Sequence, residues 1–83
     1  MKVSVKVRLK KNILDPQGKA VHHALHSLGF SQIEGVRVGK LIELEVEKGT
    51  SPEETKRIIE EASQKLLSNP VIEDFEIENV EGH

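Results

Sequence analysis

The chain has 83 residues, no cysteine and a formal net charge of −2 at pH 7, and 31% of its residues are charged. The lack of cysteine excludes disulfides, thiolate zinc sites and cysteine nucleophiles, and it favours a reducing, cytoplasmic location. Charges of mixed sign give no bulk field for nucleic acid or anionic lipid, and no apolar run has the length of a signal peptide or a membrane span. We expect a single domain over residues 1–83, in which self-association would supplement a small core.

The first predicted element is a β-strand near the N-terminus. Val3, Val5, Val7 and Leu9 alternate with polar residues that are mostly basic. Alternation with a period of two is typical of a strand with one buried face. The opposite face of this strand is therefore expected to carry lysine and arginine side chains into water.

A helix is predicted to begin at Asp15-Pro16-Gln17-Gly18. Asp15 suits the N-cap, and Pro16 suits the first helical position, where its missing N–H costs nothing. Gly29 can end the helix in a left-handed conformation. Gly18 is unfavourable in a helix by up to ~1 kcal/mol relative to alanine, and the close approach of another backbone is one reason for a glycine there. The apolar face of the helix is Ala20, Val21, Ala24, Leu25 and Leu28.

The middle of the chain, residues 36–44, is predicted to form a hairpin about Gly39-Lys40. A second strand would run around residues 33–38 and a third over residues 41–47. Alternation in the third strand turns its aliphatic side chains inward and its glutamates outward.

The register of this hairpin has two solutions. A two-residue turn would place Val36, Val38 and Leu41 on the face opposite Ile42 and Leu44, because a slip of one residue reverses every side chain. The favoured interpretation is a three-residue loop or a bulge that restores one buried face. The alternative leaves an outer apolar patch suited to a sheet-to-sheet dimer.

A second helix is predicted after the turn at Lys48-Gly49-Thr50. Ser51 and Glu54 have the spacing of a capping box, in which the hydroxyl and the carboxylate each bond an exposed backbone N–H. The helix stops before Asn69-Pro70. Its expected apolar face is Thr55, Ile58, Ile59, Ala62, Leu66 and Leu67.

The last predicted strand covers residues 71–78, with Phe75 and Ile77 inward, and residues 81–83 are expected to fray. The order β-α-β-β-α-β predicts an α+β domain of ferredoxin-like type, with a four-stranded antiparallel sheet and two helices on one face. Strand order 4-1-3-2 would place the basic first strand between the acidic third and fourth strands. Opposite charges across strands favour that order by a few tenths of a kcal/mol per pair.

Three histidines of the first helix are the candidate metal ligands. His22 and His26 are four residues apart, and His23 lies beside them. A catalytic zinc needs a third ligand, the chain has no HExxH pattern, and all three histidines lie off the apolar face. We interpret them as solvated and predict no metal site.

The sequence offers no other catalytic or cofactor-binding residues. None of its carboxylates lies in an apolar setting that would suit acid–base work, and neither a Ser-His-Asp pattern nor a P-loop is present. The outer face of the third strand carries glutamate and no aromatic ring, so the sheet does not suit RNA binding. Catalysis by this chain alone is not expected.

Three segments together resemble the small PurS subunits of phosphoribosylformylglycinamidine synthase. Each segment is short, but their order, their spacing and the total length match that family across nearly the whole chain. The segments are Leu14-Asp15-Pro16-Gln17-Gly18, Val36-Arg37-Val38-Gly39-Lys40-Leu41-Ile42-Glu43-Leu44 and Leu66-Leu67-Ser68-Asn69-Pro70-Val71-Ile72-Glu73-Asp74-Phe75.

The resemblance implies a PurS-like domain that serves as a non-catalytic subunit in the fourth step of de novo purine biosynthesis. In that family a glutaminase subunit releases ammonia, and a large synthetase subunit uses ATP and magnesium to turn formylglycinamide ribonucleotide into the amidine, a ligase reaction. The small subunit, a homodimer or a higher oligomer, joins the other two and assists ammonia transfer. The resemblance thus implies no cofactor in this chain, and the charge pattern and the lack of a membrane-spanning run predict no nucleic acid or membrane partner.

The two Asx-Pro pairs and the cations near the hairpin turn are the candidate partner or dimer interface. Rigid corners can dock without the cost of ordering a loop, although a cap, a helix stop or a solvated charge explains each residue equally well. The candidates are Asp15, Pro16, Gly18, Val36, Arg37, Val38, Lys40, Leu41, Asn69 and Pro70. The alternative function is a small-molecule-sensing regulatory domain of ferredoxin-like topology.

Overall fold

A computed structural model describes the backbone of residues 1–80 and the side chains of residues 1–78. Among these residues, no helix is long and apolar enough to cross a membrane. The predicted fraying of residues 81–83 lies outside the described residues. The elements in chain order are β1 (Lys2–Leu9), α1 (Pro16–Ser27), β2 (Lys40–Glu45), α2 (Pro52–Ala62), a π-helical turn (Ser63–Leu67) and β3 (Glu73–Val80).

The strands form one antiparallel sheet in the order β2-β1-β3. β2 and β3 are the predicted third and fourth strands, so the predicted order is confirmed for these three. Val5 in the centre lies opposite Ile42 of β2 and Ile77 of β3. Since directly opposed residues share a face, most aliphatic side chains of the three strands lie on one side of the sheet.

The other side of the sheet carries charges of opposite sign on neighbouring strands. Lys6 lies 2.6 Å from the carboxylate of Glu78, and Arg8 lies 3.4 Å from that of Glu76. These contacts confirm the predicted pairing of the basic first strand with the acidic last strand. Because both pairs are exposed, each contributes at most about 1 kcal/mol to stability.

Helix α2 covers the apolar face of the sheet. Ile59 is buried against Val3, Val5 and Val7 of β1. The core is therefore a small aliphatic layer between one helix and the central strand. Half-buried apolar residues that pack against it are Ile42, Leu44, Val46, Leu67, Phe75 and Ile77.

The π-helical turn after α2 changes which residues the helix buries. The backbone N–H and the hydroxyl of Ser68 both donate to the carbonyl oxygen of Ser63, at 2.9 and 2.8 Å. A π-turn inserts one residue and shifts the helical phase, so Leu67 packs on the core while Leu66 is 83% exposed. Ile58, also predicted on the apolar face, is 40% exposed.

The predicted helix starts and stop are largely confirmed. Asp15 caps α1, the Ser51 hydroxyl accepts the N–H of Glu54 at 3.1 Å, and Gly29 has a φ of 97°. The reciprocal half of the capping box is absent from the hydrogen bonds of the described residues. The Glu54 carboxylate instead pairs with Arg57, because a charged donor forms a stronger hydrogen bond than a backbone N–H.

The predicted hairpin about Gly39-Lys40 is wrong. Residues 33–38 do not form a strand, and the chain runs from an irregular connection into β2 without a turn. The reason lies in the hydrogen bonds of this segment, because the N–H of Val38 donates to the carboxylate of Asp15 at 2.8 Å. The sheet of the described residues has three strands rather than four, and the α+β class is confirmed.

Because the hairpin does not form, neither of its two predicted registers applies. Leu41 lies opposite Lys6 on the charged face and is 59% exposed. Val36 and Val38 are half-buried outside the sheet. Neither a compensating bulge nor a continuous outer patch of three apolar residues is therefore formed.

Helix α1 stands away from the sheet, which differs from the prediction of two helices on one face. Gly18 is its only buried residue, and none of its apolar side chains joins the core. Leu28 and Phe30 are 74% and 51% exposed. The radius of gyration is 16.2 Å, whereas a compact chain of this length would have about 12 Å. We call α1 with residues 28–39 the arm.

Candidate partner interface

The three segments that carry the family resemblance meet at the end of β1. Asp15 of the first segment bonds the second segment at Val38, and Arg37 of the second bonds the chain that leaves β1. Ile72 of the third segment accepts the N–H of Lys10 at 2.9 Å. Tertiary structure therefore gathers stretches that lie far apart in the sequence into one region.

Asp15 uses its two carboxylate oxygens for two different segments. Oδ1 accepts the N–H of Gly18 at 2.9 Å, and Oδ2 accepts the N–H of Val38 at 2.8 Å. The side chain is buried, with 5% of the residue exposed. The hydrogen bond from Gly18, followed by that from Val38, lowers the pKa of Asp15 below its ordinary value of 3.8, against the opposing effect of burial. The carboxylate is thus both the cap of α1 and the anchor of the arm.

Two glycines allow the backbone to approach closely at this region. A Cβ on Gly18 would lie 2.4 Å from the carbonyl oxygen of Val36, and a Cβ on Gly39 would lie 2.7 Å from that of Val7. Neither glycine has a positive φ, so space rather than backbone conformation requires them. The close approach predicted at Gly18 is confirmed.

Arg37 ties the arm to the connection that follows β1. Its Nη1 donates to the carbonyl oxygen of Ile13 at 3.1 Å, and its Nη2 donates to those of Lys10 and Leu9 at 2.9 and 3.4 Å. A guanidinium carries five N–H donors in a rigid fork, which a single lysine ammonium could not match. These acceptors are backbone atoms, so no side-chain pattern in the sequence identified them.

The third segment forms a compact turn around Asn69. The backbone N–H of Asn69 donates to the Glu73 carboxylate at 2.7 Å, and its carbonyl oxygen accepts the N–H groups of Ile72 and Glu73 at 3.0 and 2.7 Å. Lys40 of the second segment lies 3.7 Å from the same Glu73 carboxylate. The second and third segments are thereby joined across the end of the sheet.

The predicted interface residues divide into buried anchors and exposed surface. Asp15 and Gly18 are buried and Val36 and Val38 are half-buried, so these four hold the region together. The remaining candidates are available to a partner, and their role at an interface stays a prediction. They are Pro16, Arg37, Lys40, Leu41, Asn69 and Pro70, all of which are exposed.

Two histidines of α1 are structural rather than simply solvated. Nε2 of His22 and Nε2 of His26 lie 2.8 and 2.7 Å from the same carbonyl oxygen, that of Ile33. Each ring can donate an N–H to this oxygen, which has two lone pairs. The pair fixes the turn of the chain after α1. Their spacing of four residues, which places both rings on one face of the helix, was the feature of the sequence that could have indicated this role.

Within the described residues, no group of three histidine, cysteine, aspartate or glutamate side chains is placed to hold a metal ion. The region at the end of β1 is held together by hydrogen bonds to backbone groups, and exposed cations lie at its edge.

The model of the family described as "PurS: Phosphoribosylformylglycinamidine (FGAM) synthase" matches residues 2–81. The chain belongs to the PurS family. It is 48% identical over 77 residues to the Phosphoribosylformylglycinamidine synthase subunit PurS of Bacillus subtilis, covering 93% of this chain and 89% of that protein. It is 42% identical to the subunit of the same name from Methanocaldococcus jannaschii, over 92% of this chain and 90% of the relative. The resemblance seen in the sequence is thereby confirmed.

Solved PurS structures share this fold. The B. subtilis PurS structure superposes with a TM-score of 0.82 at 48% identity, covering 93% of this chain and 94% of that one. A chain in the structure of PurLQS from Thermotoga maritima superposes with a TM-score of 0.85 at 32% identity, covering 95% of each chain. The PurS subunit of T. maritima is assigned to the ligase class EC 6.3.5.3. The exposed arm is therefore compatible with the PurS fold.

Proposed function

We propose that this chain is the non-catalytic small subunit of a glutamine-dependent phosphoribosylformylglycinamidine synthase, and that it bridges the glutaminase and synthetase subunits in the cytoplasm. The observation that carries the proposal is the family match over residues 2–81, together with the likeness to a chain of PurLQS. The reaction consumes formylglycinamide ribonucleotide, glutamine and ATP in de novo purine biosynthesis. A chain without cysteine fits a reducing compartment.

The chemistry of this reaction belongs to the larger subunits in our proposal. The large subunit uses ATP and magnesium to activate the amide oxygen, and ammonia released from glutamine displaces the phosphate. The small subunit contributes no cofactor and no catalytic group. By holding the two sites in one assembly it assists the transfer of ammonia, which would otherwise escape into solvent.

The subunit acts as a homodimer in which each arm packs on its partner. The arm lacks a cover for its apolar residues Leu28 and Val21, which are 74% and 42% exposed. The sheet lacks a second helix over β2, where Ile42 and Leu44 are only half-buried. The apolar side of one arm can therefore cover the exposed part of the partner's sheet. Burying apolar surface in this way is favourable by roughly 25 cal/mol per Å².

The arm of the same chain does not fill this gap. Asp15 and Arg37 hold it to the connection at the end of β1, and the His22–His26 pair braces it internally at Ile33. A second copy supplies the missing helix without breaking these hydrogen bonds. Reciprocal exchange between two copies is the isologous arrangement expected of a two-fold dimer.

Size-exclusion chromatography of the three purified chains tests the assembly. We expect this chain to co-elute with the glutaminase and synthetase subunits when glutamine and nucleotide are present. Amidine synthesis from glutamine should require it, whereas synthesis from added ammonium salt by the large subunit should continue in its absence. The ammonium reaction is the matched control, since it needs no transfer between sites.

Two outcomes would contradict the proposal. One is the absence of any ternary complex, with glutamine-dependent synthesis unchanged when this chain is omitted. The other is saturable binding of a small molecule by this chain alone with no requirement for the larger subunits, which would favour the sensing-domain alternative.

A further inference from the structure

A basic cavity lies beside the region where the three family segments meet. The ladder between β1 and β2 ends at the pair Val7 and Lys40, although β1 continues to Leu9. Beyond this pair, Gly39 and the residues before it lie against the connection between β1 and α1. A cavity of about 460 Å³ lies beside them. We call this cavity the basic notch, and its charged lining is Lys6, Arg8, Lys11, Arg37 and Lys40.

The charge of the notch is opposite to that of the chain. Of the residues that the structure describes, five cations and no carboxylate line it, whereas the whole chain has a net charge of −2. Among the described residues, Lys11 and Arg37 form no ion pair with a carboxylate. The notch therefore gathers five cations, two of them without a paired carboxylate among the described residues, on a protein of slightly negative net charge.

The other three cations make ion pairs that a partner can replace. Each pairs with an exposed or partly exposed carboxylate of β3, at 2.6 to 3.7 Å. Surface pairs of this kind contribute about 0–1 kcal/mol, so exchanging one carboxylate for another costs little. The lining cations involved are Lys6, Arg8 and Lys40.

One cation of the notch is already fixed in place. The Arg37 guanidinium bonds the carbonyl oxygens of Leu9, Lys10 and Ile13. A charge that is ordered before binding loses less conformational entropy when a ligand arrives. Leu41, which is 59% exposed, adds an apolar contact at the edge of the notch.

The surroundings of the notch favour a short acidic protein segment over a nucleotide or nucleic acid. No aromatic residue lines it to stack on a base. Glu43 and Glu45 of β2 and Asp74 of β3 lie on the same sheet face, and they would repel an extended polyanion. A segment with a few carboxylates next to an apolar side chain matches both the cations and Leu41.

We infer that the basic notch is the docking site for an acidic segment of one of the two larger synthase subunits. The inference rests on the proposed function. Charges at such a site steer association and fix the orientation of the partner, so the notch would determine how this subunit is seated in the complex.

Charge reversal in the assembled complex tests the inference. The double variant Lys11→Glu/Lys40→Glu removes two notch cations whose side chains are exposed, and Lys48→Glu/Lys56→Glu makes the same change of charge away from the notch. We expect the notch variant to bind the larger subunits at least ten-fold more weakly, with unchanged circular dichroism. The control pair should bind like the unmodified chain, whose affinity should fall as sodium chloride is raised.

Carbodiimide cross-linking of the wild-type complex identifies the occupant, because it joins a lysine only to a carboxylate in direct contact. Cross-links from Lys11 or Lys40 to an aspartate or glutamate of a larger subunit support the inference. Cross-links to another copy of this chain, or equal affinity of the notch and control variants, would overturn it. Failure of the wild-type chain to assemble at all would instead contradict the proposed function, so the two failures are distinguishable.

Discussion

At the scale of single residues, Asp15 shows why a carboxylate rather than an amide stands at the start of α1. Asparagine is as good an N-cap as aspartate, so the cap alone does not select between them. Asp15 accepts one N–H on each of its two oxygens, from Gly18 and from Val38. Asparagine has one oxygen and would turn an NH₂ group toward the second donor.

The lowered pKa of Asp15 predicts a pH-dependent loss of stability. A carboxyl group whose folded pKa lies below 3.8 stabilises the fold above that pH, and this contribution is lost as the pH falls through the folded value. Asp15→Asn should be less stable than the wild type at pH 7, and the difference should shrink below about pH 3.8. Urea unfolding from pH 7 to pH 2.5, at one protein concentration, measures it.

Ser51→Ala provides the matched control, since Ser51 is an uncharged N-cap. Ser51→Ala should lower the free energy of unfolding by about 0.5–2 kcal/mol. This loss should be the same over the whole pH range. If the difference in free energy of unfolding between Asp15→Asn and the wild type were also independent of pH, the role assigned to the Asp15 charge would be contradicted.

The close approach at Gly18 predicts that even one methyl group is not tolerated there. Gly18→Ala would place a Cβ 2.4 Å from the carbonyl oxygen of Val36, and such overpacking costs about 1–3 kcal/mol. Gly35→Ala, in the same arm but with no atom within 4 Å of the added Cβ, should be neutral or slightly stabilising. Thermal unfolding of both variants compares them, and equal loss in both would show that Val36 does not approach Gly18 as closely as described.

At the scale of elements, α2 buries a narrow stripe, because the sheet beneath it is only three strands wide. Ile59 is 2% exposed and its neighbour Ile58 is 40% exposed. Sequence alone placed both on the apolar face, since either fits a helical stripe of ordinary width. The packing against β1 decides between them.

Truncation of these adjacent isoleucines is expected to have unequal effects. Ile59→Ala should lower the free energy of unfolding by about 2–5 kcal/mol, because it leaves a cavity in the core. Ile58→Ala should cost about 1 kcal/mol or less. Denaturant unfolding at one protein concentration measures both, and a larger loss at Ile58 would place the core on the wrong side of α2.

At the scale of the whole molecule, the extended shape predicts that dimerisation depends on the arm. Leu28→Asp introduces a charge at a leucine that the proposed partner sheet covers, so it should yield monomers in light scattering coupled to size-exclusion chromatography. Leu66→Asp makes the same change at a leucine that is 83% exposed after the π-helical turn, and it should remain dimeric. Dissociation by Leu66→Asp alone would move the interface to α2.

Features that depend on neighbours a few residues apart could be predicted from the sequence. The period of β1, both N-caps, the left-handed Gly29 and the helix stop before Pro70 follow from local sterics and local hydrogen bonds, and the three stretches that match PurS could be read directly. The order of β2, β1 and β3 was also predicted, from the succession of helices and strands and with support from opposite charges on neighbouring strands.

The position of the arm and the way in which the three segments meet could not be predicted from the sequence. The stretch around residues 33–38 was predicted to form a strand, but the N–H of Val38 donates to Asp15 rather than to β2. The acceptors of Arg37 are backbone carbonyls, which every residue carries, so no residue pattern could distinguish them. Many pairs of residues distant in sequence could form such contacts, and local propensities do not show which of them form. The packing of the whole chain selects one set.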